Sequence, residues 1–238
     1  MRTFVASFGF MLLMLSSRAV IADDARIQID QACALTGCFP GDPPGLPVVI
    51  TSEGSYVLGT SLTTTDTDAI HINVPNVTLD LNGFSLVGNA SPSSDGIEIG
   101  VPVSPILRLA VVGVEIRDGI IRGFGGSGVR GSSSNIGIRR VRFLSNDLGV
   151  SFVEGTITES LFLGNRLGAR VNSENPNNNF PSGAIRDSEF KSNTERGQEG
   201  GYCDNNFYVA NGSSNVQRCV SIRPSACTGA FQIPRACP

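Results

Sequence analysis

Residues 76–88 read NVTLDLNGFSLVG. Val77, Leu79 and Leu81 alternate with Thr78, Asp80 and Asn82, which is the period of a half-buried strand. Asn82-Gly83 is a turn dipeptide, and Phe84 and Leu86 then resume the alternation. A strand, a bend and a second strand in so short a span mark one rung of a β-solenoid. The same phrases recur downstream.

The first recurrent phrase is AIHI (69–72), GIEI (96–99), GVRG (128–131), GVSF (149–152) and GARV (168–171), with weaker copies GGYC (200–203) and GAFQ (229–232). Each sets a small residue before an apolar one, as in a short strand entered through a tight bend. The second is VTLDL (77–81), VEIRD (114–118), IGIRR (136–140), TITES (156–160) and AIRDS (184–188). The third places asparagine three residues after phenylalanine: Phe143 with Asn146, Phe162 with Asn165, and Phe190 with Asn193. Leu86 with Asn89 and Tyr208 with Asn211 are looser copies. The Phe spacings are 19 and 28, and a polar insertion, NSENPNNNFPSG (172–183), makes the difference.

Repetition at this period predicts a solenoid, and three phrases per rung predict a three-faced coil. With rungs stacked ~4.8 Å apart, the Phe residues should form an internal column and the Asn residues a ladder in one turn. Past Asn193 the register blurs. Tyr208 follows Phe190 by 18 and the next candidate, Ile222, follows by only 14. The last rung therefore reads as broken, a cap over the exposed end. Insertions are expected at 87–95, 100–113, 172–183 and 194–201; the apolar 100–113 is read as folding back on the coil.

The stretches LDLNGFSLVG, VEIRDGIIRGFGGSGV and IRRVRFLSN resemble right-handed parallel β-helix repeats of the pectate-lyase-like superfamily. The chain is similar to small secreted bacterial β-helix proteins whose role is largely unassigned, over roughly residues 48–232. The resemblance implies an all-β fold, a right-handed parallel β-helix with N- and C-terminal caps. It implies little about activity, because this fold hosts many functions.

Residues 1–22 read as a secretory signal: Arg2, an apolar run from Phe4 to Leu15, then Val20-Ile21-Ala22. The run is short of the ~20 residues a bilayer span needs. The expected organisation is thus a signal at 1–22, an N-terminal cap at 23–47, and a parallel β-helix at 48–238 with a disulfide-pinned end. Secretion or periplasmic export follows, with no membrane span after cleavage. The mature part keeps 21 acidic residues against 16 basic ones, a net charge of −5. That balance, with no basic run, argues against nucleic acid partners. Six cysteines, all after the signal, fit an oxidising compartment. Neighbours along a solenoid are neighbours in space, which favours Cys33–Cys38, Cys203–Cys219 and Cys227–Cys237 among the fifteen pairings.

In register, Asp118, Arg140, Glu159 and Asp187 form one outward column, and Arg117, Arg139, Thr158 and Arg186 the next. Opposite charges then lie about one strand spacing apart, as a surface ion-pair ladder. The first column is the candidate binding surface for a polysaccharide or a cell-surface component. The leading expectation is a non-catalytic binder with no cofactor. The alternative is a polysaccharide lyase on uronate polymers. There Glu159 and Asp187 would hold Ca²⁺ through oxygen ligands and Arg140 or Arg186 would take the proton beside the uronate carboxylate. Arginine gives up a proton reluctantly, which weighs against that role. A glycosidase would need two carboxyl groups at fixed separation, and no such signature stands out. His71 is the only histidine and reads as structural, without metal ligands around it. Asn76, Asn89 and Asn211 begin N-glycosylation tripeptides, which chance explains in so Asn-rich a chain.

Overall fold

The computed structural model describes residues 26–100, 102–104, 107–108, 111–131, 134–152, 154–171, 183–217, 220–221 and 226–228. The chain winds as a right-handed parallel β-helix, the hand that parallel crossover connections take. Its first face stacks Ile27–Ile29, Gly54–Leu58, Val77–Asp80, Gly155–Thr158, Gly183–Arg186 and Tyr202–Asp204. The second stacks Leu62–Thr63, Ser85–Val87, Leu161–Leu163, Glu189–Lys191 and Phe207–Val209. Two long strands, Val112–Arg122 and Ser134–Leu144, bend through both faces in mid-stack. The third face runs from Val48–Ile50 through Ile70–Ile72, Ile97–Ile99, Ser127–Gly131, Leu148–Phe152 and Leu167–Val171 to Arg196–Glu199 and Ser214–Gln217. Rung-to-rung pairing is parallel throughout the described strands.

Alternation decides what the coil encloses. Ile116, Ile138, Ile157 and Ile185 are fully buried inside the first face, while their neighbours point outward. On the second face Phe143, Phe162, Phe190 and Tyr208 are opposite one another and wholly enclosed. Their rings stack at 4.9, 4.6 and 5.0 Å within 13° of parallel. Each such side chain contributes ~1.5–3 kcal/mol by leaving water. The glycine of the first phrase belongs to the same packing unit. A Cβ on Gly149 would lie 2.7 Å from the Phe162 ring and 2.2 Å from the Gly168 carbonyl oxygen. Gly168 meets Phe190 and the Gly197 carbonyl in the same way, so only glycine fits where ring and backbone close together.

The asparagines form the expected ladder. The side-chain oxygen of Asn165 accepts from the Asn146 backbone N–H at 2.9 Å, and Asn193 does the same for Asn165 at 3.1 Å. Asn211 repeats it for Asn193 at 3.1 Å. All four are buried, so Asn211 is not open to a glycan in the folded chain.

Three expectations need correction. Arg196–Glu199 is a strand of the third face, so 194–201 is not an insertion. GGYC is not a copy of the first phrase, because Tyr202–Asp204 lies on the first face. Tyr208 pairs with Cys227, not with Ile222, so the spacing after Tyr208 is 19 residues and not 14. Arg196–Glu199 was hidden because it lacks the small-apolar opening, and GGYC misled because it has one. Within the segment read as a cap, Ile27–Ile29 is a strand paired with Gly54–Leu58.

A short helix, Gln31–Ala34, follows, capped by Asp30, and the Cys33–Cys38 disulfide closes it. Cys203 is disulfide-bonded. The expected partners Cys219 and Cys237, the signal at 1–22, GAFQ and most of the 172–183 insertion lie outside the described residues. Within 100–113 an antiparallel hairpin joins Pro102–Ser104 to Leu107–Arg108. No helix among the described residues is long and apolar enough to cross a membrane.

Candidate functional site

Two polar surfaces stand on the coil. The first is the corner between the first and second faces. Asp118, Arg140, Glu159, Asp187 and Asn205 all have left-handed backbones, with φ of 60°, 53°, 50°, 48° and 52°. The register of the preceding residues, Arg117, Arg139, Thr158, Arg186 and Asp204, sets them in line, one per rung. The predicted column therefore exists, and Asn205 extends it. Arg140 donates to both oxygens of Asp118, at 2.6 and 2.9 Å, and lies 3.8 Å from Glu159. Asn205 donates to Asp187 at 2.7 Å. Hydrogen bonding from Arg140 holds the Asp118 carboxyl below its ordinary range, and the same bond raises the Arg140 guanidinium.

The neighbouring column is Asp80, Arg117, Arg139, Thr158, Arg186 and Asp204. Asp80 takes ion pairs from Arg26 at 3.2 Å and Arg117 at 3.1 Å, and Arg186 lies 3.8 Å from Asp204. The surface is a ladder of mixed sign. It gives no support to the lyase arrangement. Arg140 is exposed and doubly bound to a carboxylate, which keeps its proton on. Among the described residues Glu159 and Asp187 gather no third metal-ligating side chain, whereas Ca²⁺ needs 6–8 oxygens.

The second surface lies on the third face, where sequence reading expected nothing. His71, Glu98, Arg130, Ser151 and Arg170 are successive outward residues of one column. Three residues before His71 and Glu98 stand Asp68 and Asp95, in the turns that enter their strands. His71 Nε2 lies 2.7 Å from Asp68 Oδ2 and 3.6 Å from Glu98 Oε2. Two carboxylates thus stand beside His71, where sequence reading expected no metal ligands. The other Asp68 oxygen accepts the Asp95 backbone N–H at 2.6 Å. Asp95, with a side chain 4% exposed, accepts from Ser127 N–H and pairs with Arg130 at 2.9 Å. Burial pushes its carboxyl up to about 6; the Ser127 and Arg130 contacts oppose that, while Asp68 and Glu98 add to it. Burial raises Asp68 too, but the His71 bond and the Asp95 N–H outweigh it and leave its carboxyl low. The Ser127 hydroxyl is enclosed and has no hydrogen-bond partner. The missed signal was a repeat within the repeat, DAIH (68–71) and DGIE (95–98).

No protein-family model matches the chain, and no characterised protein matches it by sequence. Among solved structures it is similar to the A-module of an Azotobacter vinelandii mannuronan C-5 epimerase. That alignment has 10% identity and a TM-score of 0.26, and covers 74% of this chain and 90% of that one. So distant a likeness leaves the fold to rest on the strand pairing itself.

Proposed function

We propose that this is a secreted, non-catalytic β-helix protein that binds an extended, neutral polysaccharide along the corner column. One observation carries the reading. The corner is built from Asp118, Arg140, Glu159 and Asp187 in left-handed conformations. A side chain with a Cβ is strained there by roughly 1–2 kcal/mol relative to glycine, with Asp and Asn the milder cases. The other left-handed corner, after the second face, uses Gly123, Ser145, Gly164, Ser192 and Ala210 instead. Both corners keep residues with a Cβ in this region, but the first fills it with large charged or amide side chains, one per rung, which points to a use for those groups.

Planar carboxylate, guanidinium and amide groups each recognise paired sugar hydroxyls. Here they repeat at ~4.8 Å on a rigid frame, close to the length of one pyranose unit. The mixed sign of the two columns favours a polyhydroxyl chain over a strongly charged one. Affinity electrophoresis through neutral β-1,4-linked polysaccharides tests the proposal. The wild type should be retarded, and the triple variant Arg140→Gly, Glu159→Gly, Asp187→Gly should not, since glycine keeps the corner conformation. Equal migration of both proteins through every polymer would remove the proposal. Release of unsaturated product from a uronate polymer would replace it with the lyase reading.

A further inference from the structure

The third-face cluster lies apart from the proposed glycan edge and has its own chemistry. Asp68, His71 and Glu98 are the one described group whose ligand atoms, an imidazole nitrogen and two carboxylate oxygens, all lie within 4.8 Å of one another. Their side chains are 18%, 22% and 12% exposed, so the group is recessed but open on one side. We infer that Asp68 Oδ2, His71 Nε2 and Glu98 Oε2 form a site for a divalent transition metal of the Zn²⁺ class.

Distances support this. With metal–ligand bonds of ~2.0–2.2 Å in a tetrahedron, ligand atoms stand roughly 3.4 Å apart. His71 and Glu98 are already at 3.6 Å. His71 and Asp68 are at hydrogen-bond distance, 2.7 Å, and must part by a fraction of an ångström as the metal takes the place of the Nε2 proton. With Nε2 giving its lone pair to the metal, the ring carries its proton on Nδ1.

Support around the ligands is in place. The Asp95 backbone N–H fixes the second oxygen of Asp68, which leaves the first turned to His71. Outer contacts of this kind orient ligands. His71 and Glu98 are adjacent on paired strands, so neither depends on a mobile loop. The donor set selects the metal. One imidazole with two carboxylates suits Zn²⁺ and its neighbours, whereas Ca²⁺ wants oxygen alone and more of it.

The chain's single histidine makes the test direct. Untagged protein is labelled with ¹⁵N and titrated with Zn²⁺ while the one imidazole is followed by NMR. Saturable movement of the Nε2 resonance at one equivalent is expected. Competition against a chromogenic chelator should show binding weakened about 100-fold or more in His71→Ala and at least tenfold in Glu98→Gln, while Glu159→Gly binds as the wild type. Imidazole resonances that do not move at one equivalent, or Zn²⁺ bound as tightly by His71→Ala, would overturn the assignment. The NMR titration uses wild-type protein, so it decides the matter even if a variant fails to fold. Glycan retention is measured on other residues and can fail independently.

Discussion

Consider Asn165→Ala. Asn165 is fully buried in the turn after the second face. Its oxygen is the acceptor of the Asn146 backbone N–H at 2.9 Å and of the Asn146 side-chain amide at 3.2 Å. Its own amide donates to the Phe143 carbonyl at 3.1 Å and to the Asn193 oxygen at 3.0 Å. Truncation strands the Asn146 N–H without water, at about 2 kcal/mol. Three further groups each lose one of their bonds: the Asn146 amide keeps Ile121 O, and the Asn193 oxygen keeps the Asn165 N–H. Those losses add ~1–2 kcal/mol together. The total is about 3–4 kcal/mol, a large share of a domain's net stability. Urea unfolding followed by far-UV circular dichroism measures it. Exposed Glu154→Ala is the control and should stay within about 0.5 kcal/mol. A loss under 1 kcal/mol for Asn165→Ala would refute the ladder as a stabilising element.

Three further outcomes follow from the geometry. Gly149→Ala should cost about 3 kcal/mol in the same assay, because its Cβ would meet the Gly168 carbonyl at 2.2 Å, a backbone atom that cannot swing aside; a neutral result would contradict the close packing. Glu159→Gly should leave stability unchanged or raise it by up to ~1 kcal/mol, since it relieves a left-handed residue. In Arg140→Ala the Asp118 carboxyl should titrate upward towards its ordinary range, as read by carboxyl-carbon NMR. A depressed carboxyl stabilises the fold above its unfolded pKa and loses that effect as pH falls through the folded value. The stability gap between wild type and Arg140→Ala should therefore narrow on acidification; a constant gap would show that the pair carries no such coupling.

The coil was legible because its side chains obey a period. Val77, Leu79 and Leu81 announced an inward face, and Phe143, Phe162 and Phe190 announced which rungs coincide. The corner column of Asp118, Arg140, Glu159 and Asp187 followed by counting forward from those anchors. What the sequence hid was the reason for the glycines. Gly149 and Phe162 are one contact made of two phrases, and no spacing rule couples them. Register was lost where a rung changed its wording: Gln198 stands inward where Ala169 stood, bound to the Tyr208 hydroxyl at 2.6 Å. An inward glutamine looks like an insertion until the tyrosine that satisfies it is in view. The His71 cluster was missed for a related reason. Asp68 and Glu98 are 30 residues apart, and only stacking brings them to one imidazole.

The sharpest test of the glycan edge is affinity against ligand length. Cello-, manno- and xylo-oligosaccharides of increasing length are titrated calorimetrically into wild-type protein and into the triple glycine variant. Binding that strengthens with each added sugar, then levels once the stacked corner residues are spanned, is the predicted result, and the variant should lose it. Affinity indifferent to length, or shared equally by the variant, would mean that the charged corner is not where a polymer lies.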